Sequence, residues 1–158
     1  MNLQICEENI MINDLTVGLK FKLSSFEIEK GKIKEMAMAV GDENPVYYEK
    51  QAAVVGGFRD IPVPPTFATV IDMWAGLSFA QINDLLGLEQ SRVLHGEQSY
   101  EYLADICSGD IITGEGEVVS AIKKKNLDLF TLETTYKNQF NELVLKSRSV
   151  IIERQYVL

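Results

Sequence analysis

Histidine is almost missing from this chain: among 158 residues His95 stands alone. Any Ser/His/Asp or Cys/His relay, and any multi-histidine metal site, must use His95 or fail. Cysteine is nearly as scarce. Cys6 and Cys107 show neither metal-ligand spacing nor a disulfide framework, and two incidental thiols suit a reducing cytoplasm. No apolar run approaches the roughly 18 residues that span a bilayer. The first residues, Met1 to Glu8, lack the basic and long apolar regions of a signal peptide. Excess positive charge is absent as well. A net charge of −8 excludes a nucleic-acid backbone as partner, because that binding needs clustered cations. No glycine loop that would cradle phosphate is visible, and Gly114-Glu115-Gly116 falls inside a predicted strand, where it suggests bending.

What remains is a balanced globular composition, 46% apolar and 24% charged. The length suffices for a core without staples, and with no repeat or linker the chain reads as one domain over residues 1–158. One cationic run interrupts the acidic background, Lys123-Lys124-Lys125. It reads either as a solvated hairpin end or as a local site for the phosphates of coenzyme A or a phosphopantetheine arm, offsetting the overall repulsion.

Residues 1–15 carry weak signals, and residues 21–28 read as an extended entry segment. Residues 29–40 are amphipathic at helical spacing through Ile33, Met36, Ala37 and Val40, and Gly41 is placed to end that helix. A short helix is predicted over 47–55, halted by Gly56-Gly57. Pro62, Pro64 and Pro65 follow, too proline-rich for the interior of a sheet. Pro65 suits a first helical position, where a missing N–H is no loss. The helix predicted after it, residues 66–79, is apolar almost all round (Phe67, Ile71, Trp74, Phe79), as for a helix buried on a sheet, and a short helix around residues 82–86 comes next. From Arg92 the texture changes: residues 93–103, 111–123, 127–138 and 143–156 are long, β-branched and separated by short turns. Helices first and antiparallel strands afterwards argue an α+β class. A curved antiparallel sheet wrapped around one long central helix is the pattern of a hot-dog fold.

The segment Gly41-Asp42-Glu43-Asn44-Pro45-Val46-Tyr47 resembles a motif of the MaoC-like, (R)-specific hydratase/dehydratase family, Gly-Asp-x-Asn-Pro-φ-His, where φ is apolar. Ile61-Pro62-Val63-Pro64-Pro65-Thr66-Phe67, Leu94-His95-Gly96-Glu97-Gln98 and Ile106-Cys107-Ser108-Gly109-Asp110 continue the resemblance in order. Together they look like the N-terminal, dehydratase-type half of MaoC-like proteins. The resemblance implies dehydration of a (3R)-hydroxyacyl thioester, or the reverse hydration, without a cofactor or metal. In that chemistry a carboxylate and an imidazole handle water and a substrate proton, while a backbone N–H at the start of the central helix polarises the thioester carbonyl.

Two departures weaken it. Tyr47 stands where the imidazole belongs, and a phenol with a pKa near 10 costs about 4 kcal/mol to deprotonate at neutral pH. Pro64-Pro65 aligns with a His-Gly pair, so Pro65 offers no N–H, although Thr66 still does. The candidate catalytic residues are thus Asp42 and Tyr47, each equally at home in a structural role: Asp42 as a cap for the helix over 47–55, Tyr47 as a hydrogen-bond donor or space filler. Candidate ligand contacts are Asn44, which also suits a turn, and Pro65, Thr66, Phe67, His95 and Gly96. His95 reads as a structural histidine or a gate near a thioester, with Glu97 expected on its strand face.

The expected role is the acyl-binding half of a dehydratase that needs a partner hot-dog chain. Alternatives are a self-sufficient homodimeric hydratase or thioesterase, and a non-enzymatic acyl-CoA-binding module. The expected ligand is an acyl-CoA or acyl-ACP thioester. The expected assembly is a homodimer, or a heterodimer with a catalytic MaoC-like chain, because a lone sheet of this kind leaves an edge open.

Overall fold

The computed structural model describes residues 10–11 and 16–155. Its strands are β1 (Ile10–Met11), β2 (Lys20–Lys22), β3 (Phe26–Glu27), β4 (Val93–Tyr102), β5 (Ile111–Lys124), β6 (Leu127–Lys137) and β7 (Leu143–Arg154). Its helices are α1 (Lys30–Val40), α2 (Lys50–Val55), α3 (Ala68–Ala75) and α4 (Phe79–Leu86), with single 3₁₀ turns at Pro45–Tyr47, Pro65–Phe67 and Gln90–Arg92. The sheet is antiparallel in the order β1-β5-β6-β7-β4, and β2 and β3 also pair with β5. This is the α+β hot-dog arrangement, with α3 lying on the sheet.

The N-terminal strands line up along one edge. Ile10, Phe21 and Phe26 lie opposite Lys123, Gly116 and Ile112 of β5. The other edge is β4, where all residues but Val93 and Tyr100 are exposed and, among the described residues, β7 alone pairs with it. Such a strand presents a row of unpaired backbone groups on its outer side.

Proline and alanine set the central helix. Pro65 opens its 3₁₀ turn, as its fixed φ favours. Ala68, Ile71 and Ala75 are buried, and the two small side chains let the helix sit close to the sheet. The helix is not buried all round, as residues 66–79 had suggested: Met73 is 77% and Trp74 65% exposed, with Lys32 Nζ 5.2 Å from the Trp74 ring centre. Nor does it reach Phe79. A Cβ on Gly76 would stand 2.1 Å from the Asp72 carbonyl oxygen, so this glycine alone permits the turn that ends α3. Ser78 then starts α4 through a capping box with Gln81.

The interior divides in two. Beneath α3 lies a core containing Ile28, Ile33, Phe67, Ile71, Ile106, Ile112, Val144 and Leu145. Towards the other end of the strands, Leu86 of α4 joins Val118, Phe130, Leu132 and Ile151. Asp110, fully buried, ties the loop before β5 to its surroundings: it pairs with Arg59 and accepts from Cys107 N–H at 2.9 Å and Gln139 Nε2 at 3.1 Å.

Candidate functional site

The motif loop forms because α1 stops. Gly41 adopts a left-handed φ of 72° and its N–H returns to the helix, a conformation glycine takes at no steric cost. Asp42 Oδ1 accepts from Asn44 N–H at 3.0 Å, and the Asp42 carbonyl accepts from the Tyr48 hydroxyl at 2.6 Å. Asn44 accepts from Val46 N–H at 3.3 Å and caps the Pro45–Tyr47 turn. Asp42 therefore braces its own loop rather than capping α2, whose preceding residue is Glu49 with no side-chain cap. Tyr47 packs on the main core. Burial first, and the Asp42 charge second, push its phenol above the ordinary value of 10.0. At neutral pH it is a donor, not a base.

The start of the central helix is closed by a residue that motif reasoning did not select. Ala68 N–H donates to the Tyr102 hydroxyl at 3.0 Å, and that hydroxyl donates to the Pro65 carbonyl at 3.0 Å. Burial, ahead of the charges of Asp72 and Tyr47, raises Tyr102 to about 12. Phe67 N–H bonds Pro64 O at 2.9 Å. Thr66 is exposed, and its N–H has no acceptor among the described residues. Phe67, expected at the ligand, is instead 0% exposed and belongs to the core.

His95 lies elsewhere. It is seven positions along β4 from Tyr102, roughly 23 Å at strand rise, and its ring stacks on Phe79 with centroids 6.2 Å apart. The strand bulges between His95 and Glu97, which interrupts the alternation that would have put both on one face. Gln98, not Glu97, joins His95 on the inner wall. Gly96 sits in that bulge against Ile152, whose Cδ1 would be 2.6 Å from an added Cβ; its place is one of close packing. The cationic run is remote as well. Lys123 to Lys125 form the β5–β6 hairpin end, while the helix start lies near Tyr102 and so at the Thr113 end of the sheet. Some ten residues of β5, about 33 Å, separate the two, so these lysines do not serve a phosphate arm seated at their own chain's motif.

His95 lines a cavity of about 750 Å³ between α3, α4 and the inner face of β4, β6 and β7, within the size range of small-ligand pockets. On its wall is Asp72 of α3. Its Oδ1 accepts from the Tyr136 hydroxyl; its Oδ2 accepts from Tyr100 at 2.8 Å, Ser147 at 3.0 Å and Gln98 Nε2 at 3.3 Å. Burial first, then the Asp72 charge and bond, raise Tyr136; burial likewise leads for Tyr100. Both phenols stay protonated as donors. Cys107 is buried, and burial raises its thiol; Cys6 lies outside the described residues. Among the described residues no group of three His, Cys, Asp or Glu side chains could hold a metal, and no helix is long and apolar enough to cross a membrane.

Known proteins place this architecture. The UPF0336 protein of Streptomyces avermitilis is 33% identical over 82% of this chain and 85% of its own length. The UPF0336 protein of Thermobifida fusca is 30% identical over 90% of this chain and 94% of its own. The fold resembles the C-terminally truncated HadBC (3R-hydroxyacyl-ACP dehydratase) complex of Mycobacterium tuberculosis, with a TM-score of 0.73 and 17% identity over 87% of this chain and 96% of that one. It also resembles the (R)-hydratase from A. caviae involved in PHA biosynthesis, with a TM-score of 0.64 and 21% identity over 88% and 97%. A family model described as FAS1-like, dehydratase domain region, matches residues 15–147, and with that span covered the chain belongs to this family of MaoC-like hot-dog dehydratases.

Proposed function

We propose that this chain is the acyl-holding subunit of a two-chain (3R)-hydroxyacyl-thioester dehydratase or enoyl-thioester hydratase, with the proton-transferring residues supplied by a partner hot-dog chain. One observation carries the reading: the position of the catalytic imidazole holds Tyr47, a phenol whose surroundings disfavour its anion. Two further features support it. The Ala68 amide at the helix start is already bonded to Tyr102, so the main-chain donor for a thioester carbonyl is reduced to Thr66 N–H. The open edge of β4 offers a place for a second sheet, and the structural neighbour HadBC is a complex.

The reaction then divides as follows. The partner's carboxylate and imidazole exchange a proton with the substrate and hold the water. This chain contributes the cavity beside α3 and α4, which shields the acyl chain from solvent. The ligand is an acyl-CoA or acyl-ACP thioester, and the site of action is the cytoplasm.

The test is turnover of an enoyl-CoA, followed by loss of its absorbance. The purified chain alone should be inactive, and adding a hot-dog chain that bears the complete Gly-Asp-x-Asn-Pro-φ-His motif should restore turnover. Rapid turnover by the pure chain would sink the division of labour.

A further inference from the structure

Lys123, Lys124 and Lys125 have no part in the acyl-holding role, yet they are consecutive cations in a chain of net charge −8. All three are exposed. Lys124 and Leu127 form the last pair of β5 and β6, so Lys125 and Asn126 make the tight turn between these strands. Lys125 holds a left-handed φ of 56° there, a conformation that such turns normally give to asparagine, aspartate or glycine. Arg154 is exposed at the end of β7 opposite Leu127, and it adds a further cation to this corner.

The opposite corner is acidic. Beside the start of the central helix lies the motif loop, close enough for the Tyr47 charge to act on Tyr102. Glu43 and Glu49 are exposed there and Glu101 adjoins Tyr102, while Lys50 is tied to Asp60 at 2.6 Å. A thioester whose carbonyl meets Thr66 N–H sends its phosphate-bearing arm into the field of these carboxylates, which repel it. On the same chain the lysines are about 33 Å away.

Strand addition at β4 changes that distance. Two copies joined through the same edge strand are related by a two-fold axis, and their strands run antiparallel. β4 has 10 residues, with its bulge between His95 and Glu97. Complete overlap sets Gln98 opposite Gln98, His95 opposite Tyr100, Leu94 opposite Glu101 and Val93 opposite Tyr102. No acid then faces an acid, and the cationic corner of each copy meets the acidic corner of the other. The register row that begins at Val93 continues through Glu153 and Asp128 to Lys123. Lys123 of the second copy thus stands four strand spacings, about 19 Å, from Tyr102, and its Arg154 about 10 Å. An extended pantetheine arm bridges such a gap.

We infer that the phosphates of the carrier arm are held across the subunit boundary. The acyl group and its carbonyl rest on one copy, while Lys123, Lys124, Lys125 and Arg154 of a second copy, paired antiparallel along β4, take the phosphates. In the absence of a partner chain, a second copy occupies that edge. The inference rests on the reading that the ligand is an acyl thioester, and not on which chain transfers the proton.

The test is calorimetric titration of the full chain with octanoyl-pantetheine, octanoyl-4′-phosphopantetheine and octanoyl-CoA. At least one phosphate-bearing thioester should bind about tenfold more tightly than octanoyl-pantetheine, as for hydrogen bonds to charged groups, and the advantage should shrink with added salt. Tight binding of both assigns the site to the phosphate shared with a carrier-protein arm; tight binding of octanoyl-CoA alone assigns it to the nucleotide end. Replacing the three lysines together by serine should cut the advantage to under about threefold, and Thr66→Trp should block the helix start. An equal mixture of these two variants, each failing alone, should recover a population of tight sites, because a mixed pair keeps one intact helix start facing one intact set of lysines. Cooperative melting checks that each variant folds. If Thr66→Trp does not, Leu94→Lys, shown monomeric by sedimentation, must lose the phosphate advantage with its lysines in place. Equal binding of all three thioesters, an advantage that survives the lysine replacement or the monomeric variant, or no recovery on mixing overturns the inference and leaves the acyl-thioester reading intact. Failure of all three thioesters to bind overturns both.

Discussion

The Tyr102 hydroxyl stands between two ends of one helical turn, accepting from Ala68 N–H and donating to Pro65 O, each at 3.0 Å. It does for the helix start what a bound carbonyl would otherwise do. Replacing it with Tyr102→Phe should cost about 1 kcal/mol in urea denaturation, the size of an ordinary net hydrogen bond at a partly exposed site. No change in the midpoint would show that water replaces the hydroxyl without loss.

The tyrosines of this region also set an alkaline limit. Tyr100, Tyr102 and Tyr136 all have their phenols raised, chiefly by burial, and Tyr102 lies at about 12 against an ordinary 10.0. For a phenol the raised value means that the folded state favours the neutral form. Its contribution is whole below about pH 10 and is lost between about 10 and 12. Melting temperature followed against pH, with tyrosinate absorbance read in parallel, should begin its decline near pH 10 and fall less steeply in Tyr102→Phe.

Tyr47 is expected to be dispensable for proton transfer. In a mixture with a partner that carries the intact motif, Tyr47→Phe should leave enoyl-CoA turnover within about threefold of the native chain, since general-base work normally contributes about 100-fold or more. A hundredfold loss would return the phenol to the chemistry.

Arg59 guards a buried charge. Asp110 has no exposed surface, and Arg59 is its one ionic partner among the described pairs. Arg59→Met leaves that carboxylate unpaired and should destabilise the fold by about 3 kcal/mol, read by thermal and urea unfolding. Because Arg59 is itself half-exposed, a loss below about 1 kcal/mol would mean that Cys107 N–H and Gln139 suffice.

Leu94 lies half-exposed on the open edge. We expect Leu94→Lys to shift sedimentation towards the monomer, because charge on an edge strand discourages strand addition. Unchanged sedimentation would move the contact elsewhere.

The long strands were readable in advance because each is a run of alternating, β-branched residues between turn formers: β5 to β7 were expected to within two residues at each end. Gly41 and Pro65 announced a helix end and a helix start by their backbone chemistry alone. The central helix was read too long, since Leu77 and Phe79 kept up the apolar pattern while Gly76 and the Ser78–Gln81 box quietly ended one helix and began another. Asp72 was passed over. Its partners lie 26 to 75 residues away, so no local pattern joins them. The signal that was present is a single acid inside an otherwise apolar helix, with tyrosines at matching strand positions. His95 drew attention as the lone imidazole, but uniqueness in composition says nothing about position, and the bulge at Gly96 altered which neighbours share its face.

Tyr102 and the unpaired side of β4 belong to the same ten-residue strand. A second sheet zipped onto that strand would stiffen the very segment whose tip stoppers the helix. Assembly and access to the Ala68 amide would then be one mechanical variable, and recruiting a companion would retune this corner without touching a single residue of the motif loop.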